Sequence, residues 1–384
     1  MTERMRGGII KRGSKWYYVV RERDPQTGKT KPRWVIGGET RKAAERARDA
    51  ARNAVHRGTY VIPQDVKVAK LLDDWIEAHS VELKPSTTAS YRSKIDLYLK
   101  PAIGHERAQA LSPGRLSVVF RDMAKQGGKD GKPVSPRTVE FARAVLRRAM
   151  NDAVVDRLIE VNPVIGSKSP KKDGKPQHTT WTGEQAQVVF LEATTGTRLA
   201  PLWQMALATG MRRGELMALT WQHVDLDAGV VSVEQSTAQL GNELVTTTPK
   251  NHERRKIQLD ARTAASLRTW RKAQAAERLA WGPAYVDTES IVFTREDGSR
   301  LSPKAVSKAF LRAQVGLGLP RISLHSTRHS HATILLRDGV PVHIVAKRLG
   351  HKDPSVTLNV YADVIPDDDT SAVEVFSRAV WGAR

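Results

Sequence analysis

Between residues 332 and 361 the apolar positions fall at helical spacing in two blocks and leave a set of polar side chains at their ends. Ala332, Leu335 and Leu336 mark the buried face of one predicted helix, which Gly339 closes as a left-handed C-terminal residue. Val342, Val345 and Leu349 mark the buried face of the next. Asp353 followed by Pro354 predicts the cap and first position of a third helix, which carries Tyr361. His325, Arg328, His351 and Tyr361 sit at element ends or outside those apolar faces, where the hydrophobic pattern does not explain them.

Helical periodicity dominates most of the remaining chain. VAKLLDDWIEAH sets Val68, Leu71, Leu72, Trp75 and Ile76 on one face, and Ser86 opens a second helix, TTASYRSKIDLYL, expected to end before Pro101. Ser112-Pro113 and Ser135-Pro136 open a third and a fourth, with GGKDGK at residues 127–132 as the loop between them. Residues 166–180 (GSKSPKKDGKPQHTT) lack any period and read as a flexible, basic linker. Beyond it Trp181-Thr182 caps GEQAQVVFLEAT, then LAPLWQMALATG and RRGELMALTWQHV follow, and Ser302-Pro303 begins KAVSKAFLRAQVG.

Alternation of period two is confined to two places. Residues 15–22 (KWYYVVRE) and 31–36 (KPRWVI) flank a turn at Asp24-Pro-Gln-Thr-Gly28, and Thr40 then caps a helix. Residues 230–233, 244–248 and 256–259 predict one small sheet in which residues 248–252 make a turn around Lys250. The predicted fold class is mainly α with small β-sheets (α+β), in three domains. A basic sheet-plus-helix domain covers 1–62, a helical domain 66–165, the linker 166–180 and a mixed, mostly helical domain 181–365. Residues 366–384 form a tail helix capped by Thr370, with Val373, Phe376 and Val380 on one stripe.

Charge narrows the partners. The 384 residues carry 62 Lys and Arg against 41 Asp and Glu, a formal net charge of +21, which points to a polyanion. A merely solvated basic surface fits less well, because basic residues recur in every part of the chain. The first 60 residues alone hold 16 Lys and Arg against 6 Asp and Glu, interleaved with Trp16, Tyr17, Tyr18 and Trp34. With no cysteine, disulfides, zinc ribbons and thiol nucleophiles are excluded. No apolar run reaches the length of a membrane span and the N-terminus lacks the apolar core of a signal peptide, so a cytoplasmic, nucleoid-associated protein without membrane contact is expected.

One more motif completes the candidate chemistry. In Thr209-Gly-Met-Arg212-Arg-Gly-Glu215 an arginine and a glutamate lie three apart after a helix-ending glycine, so Glu215 can fix the plane of the Arg212 guanidinium. A guanidinium grips phosphate oxygens at two points only when its plane is set. Together TGMRRGELMALTW, the Lys250 turn, LHSTRHSHAT and LGHKDPSVTLNVYADV resemble, in order and spacing, the tyrosine recombinase (phage integrase) family. The likeness covers residues 180–365 closely. In outline the whole chain resembles the three-part, arm-binding integrases.

The resemblance implies an enzyme that cleaves and rejoins double-stranded DNA through a 3′-phosphotyrosyl intermediate, integrating and with a helper excising a phage or other mobile element. It implies Tyr361 as nucleophile, Arg212 and Arg328 as phosphate clamps, His325 and His351 as added donors, Glu215 as their support and Lys250 as general acid. The implied partners are core and arm attachment sites, a homotetramer on DNA, and a directionality factor or host DNA-bending protein. The tail would dock on its own domain or on a neighbouring subunit. The rivals are a resolvase or conjugative-transposon enzyme, a type IB topoisomerase, and a catalytically silent architectural DNA-binding protein. No cofactor and no metal is expected: there is no Walker loop, no HExxH and no paired-carboxylate site, and His329, His331 and His343 read as structural or surface residues.

Overall fold

The computed structural model describes residues 8–23, 30–57, 60–170, 179–248, 254–286, 289–361 and 369–382. The chain divides into two compact units, residues 1–175 and 176–384.

The first unit opens with an antiparallel sheet in the order β1 (Ile9–Arg12), β2 (Lys15–Arg23), β3 (Thr30–Gly38). Tyr18 pairs with Ile9 on one side and Val35 on the other, so the three side chains share one face. That face, with Val20, packs on α1 (Arg41–His56) through Ala51. Thr40 caps α1 as expected, its hydroxyl accepting from the Ala43 N–H at 3.2 Å. The opposite face keeps Ile10, Trp34 and Ile36 exposed, and the Arg12 guanidinium lies 4.8 Å over the Trp34 ring.

A helical bundle follows. α2 (Val68–His79), a third helix α3, α4 (Pro113–Gln126) and α5 (Pro136–Val155) share one core, in which Leu72 and Ile76 of the stripe read from the sequence are buried with Phe120 and Leu146. Ser112 and Ser135 cap α4 and α5 through their hydroxyls. Both boundaries of α3 differ from expectation: it starts at Pro85, with Lys84 rather than Ser86 at the cap, and it does not stop before Pro101. It runs as Pro85–Lys94, widens into a π-helical turn at Ile95–Leu99 and continues through Lys100–Ile103. The Lys100 N–H reaches back five residues to the Ile95 carbonyl. This wider ring makes room for a proline that has no N–H to give and would otherwise crowd the preceding turn.

The second unit starts at a buried aromatic group. Trp181, Phe190, Trp203 and Phe310 meet with ring centroids 4.9 to 5.8 Å apart. They join α6, a π-helical stretch at Gln185–Leu191, to α7 (Ala200–Thr209) and α10 (Pro303–Ala313). Thr182 caps the first of these helices reciprocally with Gln185. Of the RRGELMALTWQHV segment only Arg213–Met217 is α-helical, as α8; Thr220 then bridges to Ile291, Trp221–His223 makes a single 3-10 turn and Val224–Asp225 forms β4. A 21-residue helix, α9 (Ala261–Trp281), packs Leu267 and Trp270 into the same core.

The expected single sheet is two. β4, β5 (Val230–Val233) and β8 (Arg255–Gln258) form one, and β6 (Ser236–Leu240) with β7 (Glu243–Thr247) forms a separate hairpin. Local alternation cannot say which strand pairs with which. The turn expected at residues 248–252 around Lys250 falls, from residue 249 on, outside the described residues. The last elements are α11 (Ser326–Arg337), α12 (Val342–Leu349), α13 (Pro354–Tyr361) and α14 (Asp369–Trp381), the last beginning one residue before its expected cap. Among the described residues no helix is long and apolar enough to cross a membrane.

Candidate active site

The site is built where α7 ends. Gly210 turns left-handed at φ +63°, and a side chain there would collide with Leu349 and His331, so α7 can pass this close to α11 and α12 only with glycine at its end. The turn delivers Arg212 to the cap position of α8. Glu215, three residues on, accepts the Arg212 backbone N–H at 2.9 Å and its Nη1–H at 3.0 Å. Backbone and side chain of Arg212 are thus held by one carboxylate, as the spacing predicts.

Glu215 is itself only 2% exposed. A buried carboxylate needs more than one half-exposed partner, and the structure supplies Arg255 from the start of β8. Its Nη1 and Nη2 donate to the two oxygens of Glu215 at 3.1 and 2.6 Å. Burial works to raise the Glu215 carboxyl, but Arg255, with the Arg212 backbone and charge, outweighs it and holds the group below its ordinary value.

Arg328 enters from the first turn of α11 and is 4% exposed. Its Nη1 donates to the Gly210 carbonyl at 2.9 Å, while Nη2 donates to the Leu349 carbonyl at 2.6 Å and to His351 Nε2 at 2.9 Å. Since a guanidinium only donates, His351 Nε2 must be the bare nitrogen here. Its Nδ1–H then donates to the buried Thr357 hydroxyl at 2.7 Å. Burial, then the charges of Arg328, Arg212 and Arg255, push His351 down to about 4, so it is neutral at pH 7. Burial and Arg212 push Arg328 down to about 9, which leaves it a cation at the same pH.

Tyr361 ends α13 and lies in a small apolar cluster with Ala332, Leu336, Val345 and Leu349. It is 3% exposed, and burial pushes its phenol up to about 12 even though Arg328 pulls the other way. The hydroxyl is 2.7 Å from His329 Nδ1. His325, exposed at the start of α11, meets the His329 ring edge-on at 5.4 Å. Six of the seven predicted site residues therefore lie on, or within two residues of the ends of, α8, α11, α12 and α13; the seventh, Lys250, lies outside the described residues.

The phage integrase family matches residues 183–367, a span that contains every one of these groups. The chain belongs to the tyrosine recombinase (phage integrase) family. A tyrosine recombinase XerC-like protein of Caldanaerobacter subterraneus subsp. tengcongensis is 27% identical over 388 residues, covering 96% of this chain and 97% of the relative. The integrase of Mycobacterium phage L5 is 24% identical over 331 residues, covering 83% of this chain and 84% of its own length. Among solved structures, the Tn1549 transposon integrase in complex with transposon right end DNA aligns over 82% of this chain and 100% of that one, with a TM-score of 0.67 at 18% identity. A lambda integrase dimer bound to a core site aligns over 94% and 95%, with a TM-score of 0.57 at 17% identity. The recombinase is thus a site-specific one of the phage and mobile-element type, mainly helical with small sheets, with a three-stranded sheet and helix before its helical middle region.

Four positions of this recombinase escape the sequence reading. Arg255 had one signal: it shares the inward face of β8 with Ile257, an odd place for a charge. Thr357 lies one turn before Tyr361 on α13. Of the two places expected for it, structural or surface, His331 takes the structural one, through partners the sequence does not show: it is buried, its Nδ1–H donating to the Leu207 carbonyl at 2.8 Å and its Nε2 accepting from Arg348 Nε at 3.1 Å. His329 touches the Tyr361 hydroxyl. Nothing local in the sequence separates these two histidines from their neighbours.

Proposed function

We propose that this recombinase breaks one strand of its attachment site when the Tyr361 phenolic oxygen attacks the scissile phosphorus. The P–O5′ bond breaks, a 3′-phosphotyrosyl bond forms, and Lys250 supplies the proton that leaves with the 5′-hydroxyl. Charge that builds on the non-bridging oxygens is met by Arg212 and Arg328, with His325 as a further donor, while His351 in its neutral form holds Arg328 and would become a donor only by turning from Arg328 and Thr357 when DNA binds. The phenol must give up a proton that burial makes hard to lose, and His329 Nδ1 is the acceptor already in contact. The carrying observation is this convergence: Glu215-braced Arg212, buried Arg328 and Tyr361 meet from three separate segments of chain.

Because the phosphotyrosyl ester retains most of the energy of the bond it replaces, rejoining needs no nucleotide. With Tyr361 this deeply covered, engagement of DNA must shift α13 before attack.

Two further parts of the chain support integration on paired sites. The outer face of the N-terminal sheet, with Trp34 and Ile36 beside Arg12 and Lys15, suits insertion into a DNA groove and would bind arm sites. On α14, Val373 and Phe376 stand 58% and 61% exposed, which favours docking on a neighbouring subunit over packing at home. A homotetramer spanning two core sites, with a helper protein for excision, completes the reading. Lambda integrase has been seen as a tetramer bound to a Holliday junction.

The test is covalent capture. The full chain is incubated with nicked duplexes of randomised core sequence, and DNA bound through denaturing detergent is sequenced. Wild type should capture a discrete set of sites through Tyr361, and Tyr361→Phe should capture none while still shifting the same duplexes on native gels. Adduct formed by Tyr361→Phe would show that the nucleophile is another residue.

A further inference from the structure

Arg255 sits on one of the segments that make the site, touches two others and is itself assigned no chemical part in it. Its guanidinium meets Glu215 end-on with both Nη atoms, and its Nε donates to the Arg348 carbonyl at 3.0 Å. The side chain lies against Gly350, where an added Cβ would come within 3.0 Å of Arg255 Cδ and Nη1. It also begins the strand that follows Lys250 in the chain. One buried fork therefore ties the Arg212 motif, the strand after Lys250 and the turn into His351.

Charge gives the arrangement its purpose. Were Glu215 paired with Arg212 alone, the carboxylate that orients the guanidinium would also cancel it, leaving no net positive charge to offer a phosphate. Arg255 compensates Glu215 from the inner side, with its side chain 7% exposed, whereas that of Arg212 is 25% exposed. The triad of two guanidinium groups and one carboxylate then carries a net positive charge, displayed on its open side.

We propose that Arg255 is a positioning residue of the recombinase: by neutralising Glu215 it lets that carboxylate aim Arg212 without quenching it. This rests on the reading of Arg212 as a phosphate clamp. The role predicts that charge at position 255, rather than fork geometry, sets the cleavage rate, and that the need for it disappears when Glu215 carries no charge.

The experiment compares full-length Arg255→Gln, Arg255→Lys and the double variant Arg255→Gln/Glu215→Gln with wild type. The probe is a nicked duplex that wild type captures covalently and Tyr361→Phe does not; absence of any such duplex would count against the functional reading itself. Single-turnover adduct formation should slow about 100-fold in Arg255→Gln, with native-gel affinity changed less than about threefold, since the Arg255 side chain is too deeply covered to meet a phosphate itself. Arg255→Lys, which keeps the charge, should stay within about tenfold of wild type. The double variant should recover about tenfold over Arg255→Gln. Equal losses in the Lys and Gln variants, or a double variant no faster than Arg255→Gln, would overturn the proposal. Should Arg255→Gln not fold, a 100-fold loss in Arg255→Lys would overturn it as well.

Discussion

Behind the site, Arg348 and His331 make a clasp whose strength should depend on acidity. Arg348 Nη2 donates to the Ala208 carbonyl at 2.9 Å and the Gln258 carbonyl at 3.1 Å, while its Nε donates to His331 Nε2. The imidazole must stay neutral to accept. Protonation would set a new N–H against the guanidinium, with Arg328 adding repulsion and only the Leu207 carbonyl in favour. Burial, then Arg348, pushes His331 down to about 4 from an ordinary 6.5.

In the unfolded chain the ring binds a proton first, so acid favours unfolding: stability is lost as pH falls from 6.5 toward 4 and is level above 6.5. For those two values linkage gives a loss of about 2 kcal/mol by pH 5 and about 3 kcal/mol in full. The perturbation is His331→Gln, which keeps an acceptor for Arg348 and removes the titration. Urea unfolding of both proteins at pH 7.5, 6.5, 5.5 and 5.0 isolates the effect, because His351 and the carboxylates slope equally in each. The gap between the two unfolding free energies should shift by about 2 kcal/mol in favour of the variant between pH 7.5 and 5.0. Parallel curves would refute the reasoning, and with it the neutral, buried assignment of His331.

Other consequences concern the site more directly. Gly350→Ala sets a side chain in a left-handed backbone position, φ +70°, and against Arg255; it should cost about 1–2 kcal/mol in thermal unfolding and slow adduct formation, and an unchanged rate would mean the Arg255 contact is dispensable. Lys250→Ala should slow cleavage of ordinary DNA yet cleave normally a duplex whose scissile 5′-oxygen is sulfur, a leaving group that needs no proton; no rescue would remove the lysine from the acid role. Deleting residues 1–62 should spare covalent attack at core sites while impairing integration of a plasmid carrying flanking arm sequence, and full integration by the truncated chain would end the arm-binding claim.

Much of this recombinase could be read from its sequence because the relevant signals are local. Helix faces in the middle region follow from apolar spacing, caps from Thr40, Ser112 and Ser135 next to the first helical residue, and the Arg212–Glu215 brace from two residues three apart on one turn. The order of the motifs, from TGMRRGE to the final tyrosine, was enough to suggest the family. What only the tertiary structure decided are contacts between segments far apart in the chain. The Arg255 fork on Glu215 spans 40 positions, the Arg328 contact with the Gly210 carbonyl 118, and the His331 contact with the Leu207 carbonyl 124. Burial is what keeps His331 neutral, and burial belongs to the packed chain. The same logic moved the end of α3 past Pro101: proline's local preference for ending a helix yielded to a π-turn that lets Ile95 and Leu99 stay in the core.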